Sequence, residues 1–359
     1  MNIKKAKILS GTLLIFLAAI IVSCGTQKNQ LVGVAGKNKH KPFTDYGMVF
    51  IPSGSFVMGV KDDKFLLHDA QQKRVSLSEF YIDKSEITFK EYREFVKYVM
   101  DSIPLDEEDD KSAYIYENPE TNEKTPIYPD ISVWKRNFPK SQITSSEYFE
   151  RGDPDIDQYP VVGINWNQAV AFTVWRTHKM NIGAIFSLPT EAQWEYAAKG
   201  GIRDVKYPWI GDGTKNDADF YLANFYPMQG DYVSDGRTYT LPVQEYAPNG
   251  FGLYDMAGNV AEWVLDSYYP RSYDYTNNHN PLYIDINSDY KVTRGGSWIS
   301  ISYFLQNGAR DWAHKDSTYS YVGFRCIASY TGTQRSPHAP DPERDIPSGH
   351  KIKGLFKKD

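Results

Sequence analysis

Hydrophobic and polar positions change period several times along this chain, and each change marks an element. Residues 9–22 are mostly apolar behind Lys4, Lys5 and Lys7. That block is short for a membrane span and carries a basic flank, which predicts a secretion signal over residues 1–23. Residues 24–44 are polar and predict a tether; about 20 extended residues reach roughly 65–70 Å. A domain is predicted over 45–330. It opens with YGMVFIPSGSFVMGV (Tyr46–Val60), two short strands around the Pro52-Ser53-Gly54 turn. Arg74–Ile82 alternates apolar and polar and predicts one half-buried strand.

Helical spacing then takes over. Thr88 with Glu91 forms a capping box, and Tyr92, Phe95, Val96 and Val99 fall on one face behind it. Residues 101–158 break the pattern: acidic over Asp106–Asp110, rich in proline and poor in aliphatic residues. They predict a surface insertion with one short ordered piece near Ile127–Phe138. Tyr159–Ile164 predicts a buried strand. Asn165 with Gln168 and Thr190 with Gln193 open two further helices, carrying Ala169, Phe172, Trp175 and then Trp194, Ala197, Ala198. Turns dominate 200–249. Lys291–Trp298 and Tyr321–Ala328 predict closing strands, and residues 331–359, with four prolines, a loosely held tail. No internal repeat is present.

Composition narrows the function classes. Forty basic against 45 acidic residues give a net charge of −5 with no basic stripe, which argues against nucleic acid as a partner. Aromatic residues make up 15 % of the chain, enough for a dense core of many short elements. There are two cysteines, Cys24 and Cys326. Ile21-Val22-Ser23-Cys24 resembles the lipobox of bacterial lipoproteins, with Cys24 as the lipidated residue. Cys326 then has no partner, and no internal disulfide staples the domain. The seven histidines form no HExxH or Cys/His cluster, and no GxSxG elbow occurs.

The block NGFGLYDMAGNVAEW (Asn249–Trp263) carries the most chemical information. Asp255 and Glu262 flank a Gly258-Asn259 turn within an apolar frame. Such a turn can gather carboxylates and carbonyls around a hard cation such as Ca²⁺, and equally it can be a tight turn with two solvated acids. The spacing alone leaves both open.

Five blocks together resemble the formylglycine-generating, sulfatase-modifying family: IPSGSFVMG, YPVVGINWNQAVAFTVW, LPTEAQWEYAAKGG, NGFGLYDMAGNVAEW and RGGSW…GFRC, across Tyr46–Tyr330. The resemblance implies an α+β fold related to C-type lectins, with much irregular structure. It implies structural calcium held by Asp255 and Glu262 carboxylates with Gly258 and Val260 carbonyls. A second calcium site is implied at Asn224, Phe225, Asp235 and Arg237. The family's enzymes oxidise a sulfatase cysteine with two active-site cysteines placed after the RGGS block. Here the corresponding stretch, Ile299–Arg310 (ISISYFLQNGAR), contains none. Thiolates are soft ligands for Cu(I) and redox groups, so their absence implies lost oxidase chemistry. The expectation is a pseudoenzyme with no catalytic residue and no required cofactor.

The head of the chain, Leu31-Val32-Gly33-Val34 and then YGMVFIPSGSFVMG, together with Ile127-Tyr128-Pro129-Asp130, resembles the GldK/PorK lipoproteins of type IX secretion and gliding motility. The stretch between Met100 and Ile127 is short for that group, and GldJ-like proteins are the near alternative. This resemblance implies an outer-membrane, lipid-anchored, periplasm-facing ring subunit, oligomeric with a GldN/PorN-like partner and other secretion components. Side surfaces for assembly are sought in 101–158 and at Tyr268, Tyr269, Tyr273 and Tyr275. The alternatives are an active formylglycine-generating oxidase and a calcium-dependent, lectin-like glycan binder.

Overall fold

The computed structural model describes residues 46–60, 69–102, 114–137, 154–228 and 239–330. The predicted signal, tether and tail lie outside these residues, as do Cys24, Asp106–Asp110, Asp235 and Arg237. No helix among the described residues is long and apolar enough to cross a membrane.

Among the described residues, twelve short strands make four sheets. The strands are β1 (Met48–Ile51), β2 (Gly54–Met58), β3 (Lys73–Leu77), β4 (Phe80–Asp83), β5 (Ile115–Glu117), β6 (Lys124–Pro126), β7 (Ala184–Ser187), β8 (Ala261–Ser267), β9 (Tyr290–Arg294), β10 (Asp311–His314), β11 (Val322–Gly323) and β12 (Ile327–Tyr330). One antiparallel sheet has the order β1-β4-β12-β7 and another the order β10-β9-β8-β11, with β11 parallel to β8; β2-β3 and β5-β6 are hairpin-like pairs. The helices are α1 (Phe89–Ser102), α2 (Val133–Asn137), α3 (Pro154–Asp157), α4 (Trp166–Met180) and α5 (Glu191–Ala198).

The first sheet divides two cores because its side chains alternate. Val49, Ile82 and Ile327 lie in one cross-strand row and pack with α5, Val264 and Val292. Tyr81, Ala328 and Phe186 lie in the neighbouring row and pack with α1 and α4. The capping boxes fix where those helices begin. The Thr88 amide donates to Glu91 at 2.8 Å, and both Asn165–Gln168 and Thr190–Gln193 make reciprocal boxes. The α1 face meets α4 through aromatic rings: Tyr92 stacks on Phe172 at 5.8 Å, and Phe95 meets Trp175 at 5.1 Å.

Several sequence expectations are corrected here. The two strands expected in Tyr46–Val60 are present, and they enter different sheets: β1 joins β4, and β2 joins β3. Arg74–Ile82 is two strands in different sheets. Val75 and Leu77 are buried, then Phe80 and Ile82, so the period slips by one at exposed Ser78-Glu79 and the chain changes sheet. Tyr159–Ile164 is largely buried but is no named strand: the Phe89 amide donates to the Tyr159 carbonyl and the Val161 amide to the Ile87 carbonyl, which makes an isolated bridge at Thr88 and Pro160, and the chain turns at Gly163 with positive φ. Lys291–Trp298 ends as strand at Arg294, because Gly295 and Gly296 turn with positive φ. Tyr321–Ala328 is also divided, into β11 and β12, with Arg325 between them turned inward. The insertion 101–158 is not wholly superficial. Ile127, Val133 and Trp134 are buried in the main core, and Trp134 stacks on Trp298 at 5.9 Å.

Candidate functional site

The block from Asn249 is held by its own first residue. Asn249 Oδ1 accepts the Phe251 and Leu253 amides, while its Nδ2 donates to Ala197 and Ala198 carbonyls at the end of α5. The chain then turns through Asp255, Gly258 and Asn259, all with positive φ. At Gly258 a Cβ would fall 2.3 Å from the Asn224 carbonyl oxygen, so only glycine lets these two turns meet. The turn delivers Glu262 into β8.

Glu262 is fully buried. Arg325 grips it bidentately, Nε to Oε2 at 2.7 Å and Nη2 to Oε1 at 2.6 Å, and Trp194 Nε1 donates to Oε2 at 2.8 Å. Asp255 accepts the Gln244 amide at 2.7 Å, and burial pushes its carboxyl up to about 6. A third acid joins them that sequence reading did not find. Among the described residues Glu86, in the turn between β4 and α1, accepts long bonds, from Asn259 Nδ2 at 3.2 Å and the Val260 amide at 3.3 Å. Burial, then the nearby Asp255 and Glu262, hold its carboxyl well above the usual range. Among the described residues, three buried carboxylates therefore face one guanidinium. That acid excess fits a hard divalent cation, with Glu86 and Asp255 offering the less engaged oxygens.

The second predicted site is partly described. Asn224 is buried; its carbonyl accepts the Asn259 amide at 2.8 Å and its Nδ2 donates to Tyr239. Its Oδ1 has no hydrogen-bond partner among the described residues, an orphaned acceptor that also fits a cation. Phe225 packs with Tyr207, Ala223, Ala257 and Leu305. Asp235 and Arg237 lie outside the described residues.

The stretch after the RGGS block has a different character. Ser297 and Ser300 hydroxyls contact each other at 3.0 Å across a tight turn. Tyr303, Leu305 and Ala309 are buried, Leu305 completely, against apolar neighbours. No sulfur lies there. Cys326 is the single thiol among the described residues; burial, and then Asp83, keep it protonated.

The remaining motif residues form a second ionic centre. Arg294 donates to Glu195 at 2.7 Å and Glu191 at 3.2 Å; Arg310 grips Glu191 at 2.6 and 3.0 Å; Lys199 approaches Glu195 at 3.3 Å. The Gly59 amide donates to Glu195 at 2.9 Å, and Tyr273 OH to Glu191 at 3.0 Å. Gly295 lets Trp194 pass where a Cβ would be 2.9 Å away. The blocks IPSGSFVMG, LPTEAQWEYAAKGG, NGFGLYDMAGNVAEW and RGGSW…GFRC thus touch one another through buried charge, and the fifth block joins them where Trp263 Nε1 donates to the Ile164 carbonyl at 3.4 Å. Of the four tyrosines sought for assembly, Tyr273 is in this interior, Tyr268 is half-buried with its hydroxyl on Asp69, and Tyr269 and Tyr275 are exposed.

The profile of the Sulfatase-modifying factor enzyme 1-like domain matches residues 34–330. The chain belongs to this family. It is 33 % identical over 298 residues to a formylglycine-generating enzyme of Thermomonospora curvata, covering 79 % of this chain and 93 % of the relative. It is 29 % identical over 294 residues to the inactive C-alpha-formylglycine-generating enzyme 2 of Mus musculus, covering 79 % and 86 %. The family therefore includes proteins named as active and as inactive. Among solved structures, PvdO from Pseudomonas aeruginosa superposes with a TM-score of 0.56 at 24 % identity, covering 79 % of this chain and 94 % of that one. Treponema denticola variable protein 1 gives 0.52 at 23 %. The α+β fold is that of the family, mixed and rich in irregular structure, consistent with a C-type lectin relationship.

Proposed function

We propose that this member of the family is a non-catalytic, lipid-anchored structural subunit of a type IX secretion or gliding-motility machine. The observation that carries the reading is the segment 299–310. It has no cysteine, and the space beside it is filled by Leu305 and its apolar neighbours. A Cu(I)-dependent oxidase needs thiolate ligands there, and protonated, buried Cys326 is not a substitute. The intact scaffold supports a role in holding other proteins. The lipobox-like Ile21–Cys24 and the GldK/PorK-like order of the early segments support a location at the outer membrane, facing the periplasm, in a ring with a GldN/PorN-like partner. Calcium in this reading is structural, at the Glu86–Asp255–Glu262 centre and at Asn224, and stabilises the turns by binding the folded chain alone.

The experiment is a pull-down of the chain from native membranes with mass spectrometry, paired with deletion of its gene. Co-purification of the ring partner and failure to export type IX cargo are expected. Normal export from the deletion strain, with no secretion component recovered, contradicts the proposal. The active-oxidase alternative draws on the 33 % identity to a named enzyme, and the missing thiols weigh against it.

A further inference from the structure

The geometry points to a solvent-facing site for a Zn²⁺-class divalent ion at the outer end of the β9–β10 ladder, held by Asp289, His314 and Asp316. The three side chains each offer a ligand atom, and these atoms lie within 4.8 Å of one another. Zinc bonds of about 2.0–2.2 Å place ligand atoms about 3–3.5 Å apart, a gap that small rotations of the exposed carboxylates close. The ladder sets the arrangement: His314 pairs with Tyr290, so Asp289 and the 315–316 turn leave the two strands side by side.

Each ligand is steadied by a group outside the triad. Tyr290 meets the His314 ring edge-on at 5.6 Å, and Asn167 Nδ2 donates to Asp316 Oδ1 at 2.8 Å, tying the turn to α4. The Lys315 backbone amide donates to the Asp289 carbonyl at 2.8 Å. A cation already stands at this place: Lys315 Nζ lies 2.9 Å from Asp289 Oδ1. A divalent ion would displace that ammonium. One imidazole with two carboxylates favours zinc or cobalt over calcium, which prefers oxygen donors only. Three protein ligands leave a fourth position for water. The site uses none of the residues of the calcium centres, so it stands or falls separately from them.

The test is titration of the untagged, calcium-saturated full chain with Zn²⁺, and with Co²⁺ as the optical probe. One equivalent of Co²⁺ should give visible absorption that Zn²⁺ abolishes. His314→Ala should remove the signal, Asp289→Asn and Asp316→Asn should each weaken binding about 10–100-fold, and Lys315→Gln should tighten it. Circular dichroism of each variant establishes that these solvent-facing changes leave the fold intact. Parent protein that binds no stoichiometric ion, or a His314→Ala variant that binds as the parent does, overturns the assignment.

Discussion

The two buried ionic centres differ in charge balance, and the difference separates what the chain supplies for itself from what it must take from solution. Around Glu191 and Glu195 stand Arg294, Arg310 and Lys199, so each carboxylate has a cation within hydrogen-bonding or ion-pair distance. Around Glu86, Asp255 and Glu262 stands Arg325, which is committed to Glu262. Burial of charge is tolerated when pairing is complete and costs several kcal/mol per ion when it is not. The first centre can bind the sequence blocks together unaided. Among the described residues the second is left with acid to spare, which proton uptake or a bound cation would offset.

Breaking the balanced centre should have the largest effect. Arg294→Ala leaves Glu191 and Glu195 short of a partner and should cost about 3–5 kcal/mol in chemical denaturation, with or without calcium. Calcium should act on the other centre. At 100 times its Kd it should add about 2.7 kcal/mol, reversed by chelator. Glu86→Gln and Asp255→Asn should lose most of that increment, whereas any Arg294 variant that still folds should keep it.

A pH titration sharpens the comparison further. Asp266 borders the balanced centre, accepting the Glu191 and Tyr283 amides at 2.7 and 2.9 Å. Burial, then Glu191, pushes its carboxyl from 3.8 up to about 7. A folded-state value above the unfolded one means that folding takes up a proton. Its contribution is therefore complete below about pH 4 and is lost as pH rises through about 7. Asp266→Asn should flatten that slope. Asp130 has the opposite sign: hydrogen bonds from Ser132, Arg136 and Thr318 outweigh burial and hold it at about 2, so its contribution is present above about pH 4 and lost on acidification towards pH 2. The smallest effect is local. Thr190→Ala removes the cap of α5 and should cost about 1 kcal/mol, with both centres intact.

Much of the fold was legible because its signals are local. Capping boxes at Thr88, Asn165 and Thr190 placed three helices, since cap and partner are three residues apart. The slip between Leu77 and Phe80 is visible as a change in which alternate positions are apolar, yet the segment reads as a single strand because alternation resumes on both sides of it. The division at Arg325 was harder to read. An arginine inside an apolar run suggests an edge position, and only the distant Glu262 explains why it turns inward. Asp255 and Glu262 could be named because one turn carries both. Glu86 could not, because it reaches the same centre from another element and no spacing links them. The ordered piece near Ile127–Phe138 was legible, but the burial of Ile127 and Trp134 in the main core was not, because the polar composition around them set the texture of the segment and not the depth of its few large side chains.

The central claim is that a scaffold without thiols beside its RGGS turn holds its fold without oxidising anything. The direct measurement is mass spectrometry of a sulfatase-derived cysteine peptide after incubation with the purified chain, copper and oxygen. The account predicts an unchanged peptide under conditions in which a family enzyme with its cysteine pair gives full conversion. Formylglycine produced by this chain above the copper-only control would contradict it.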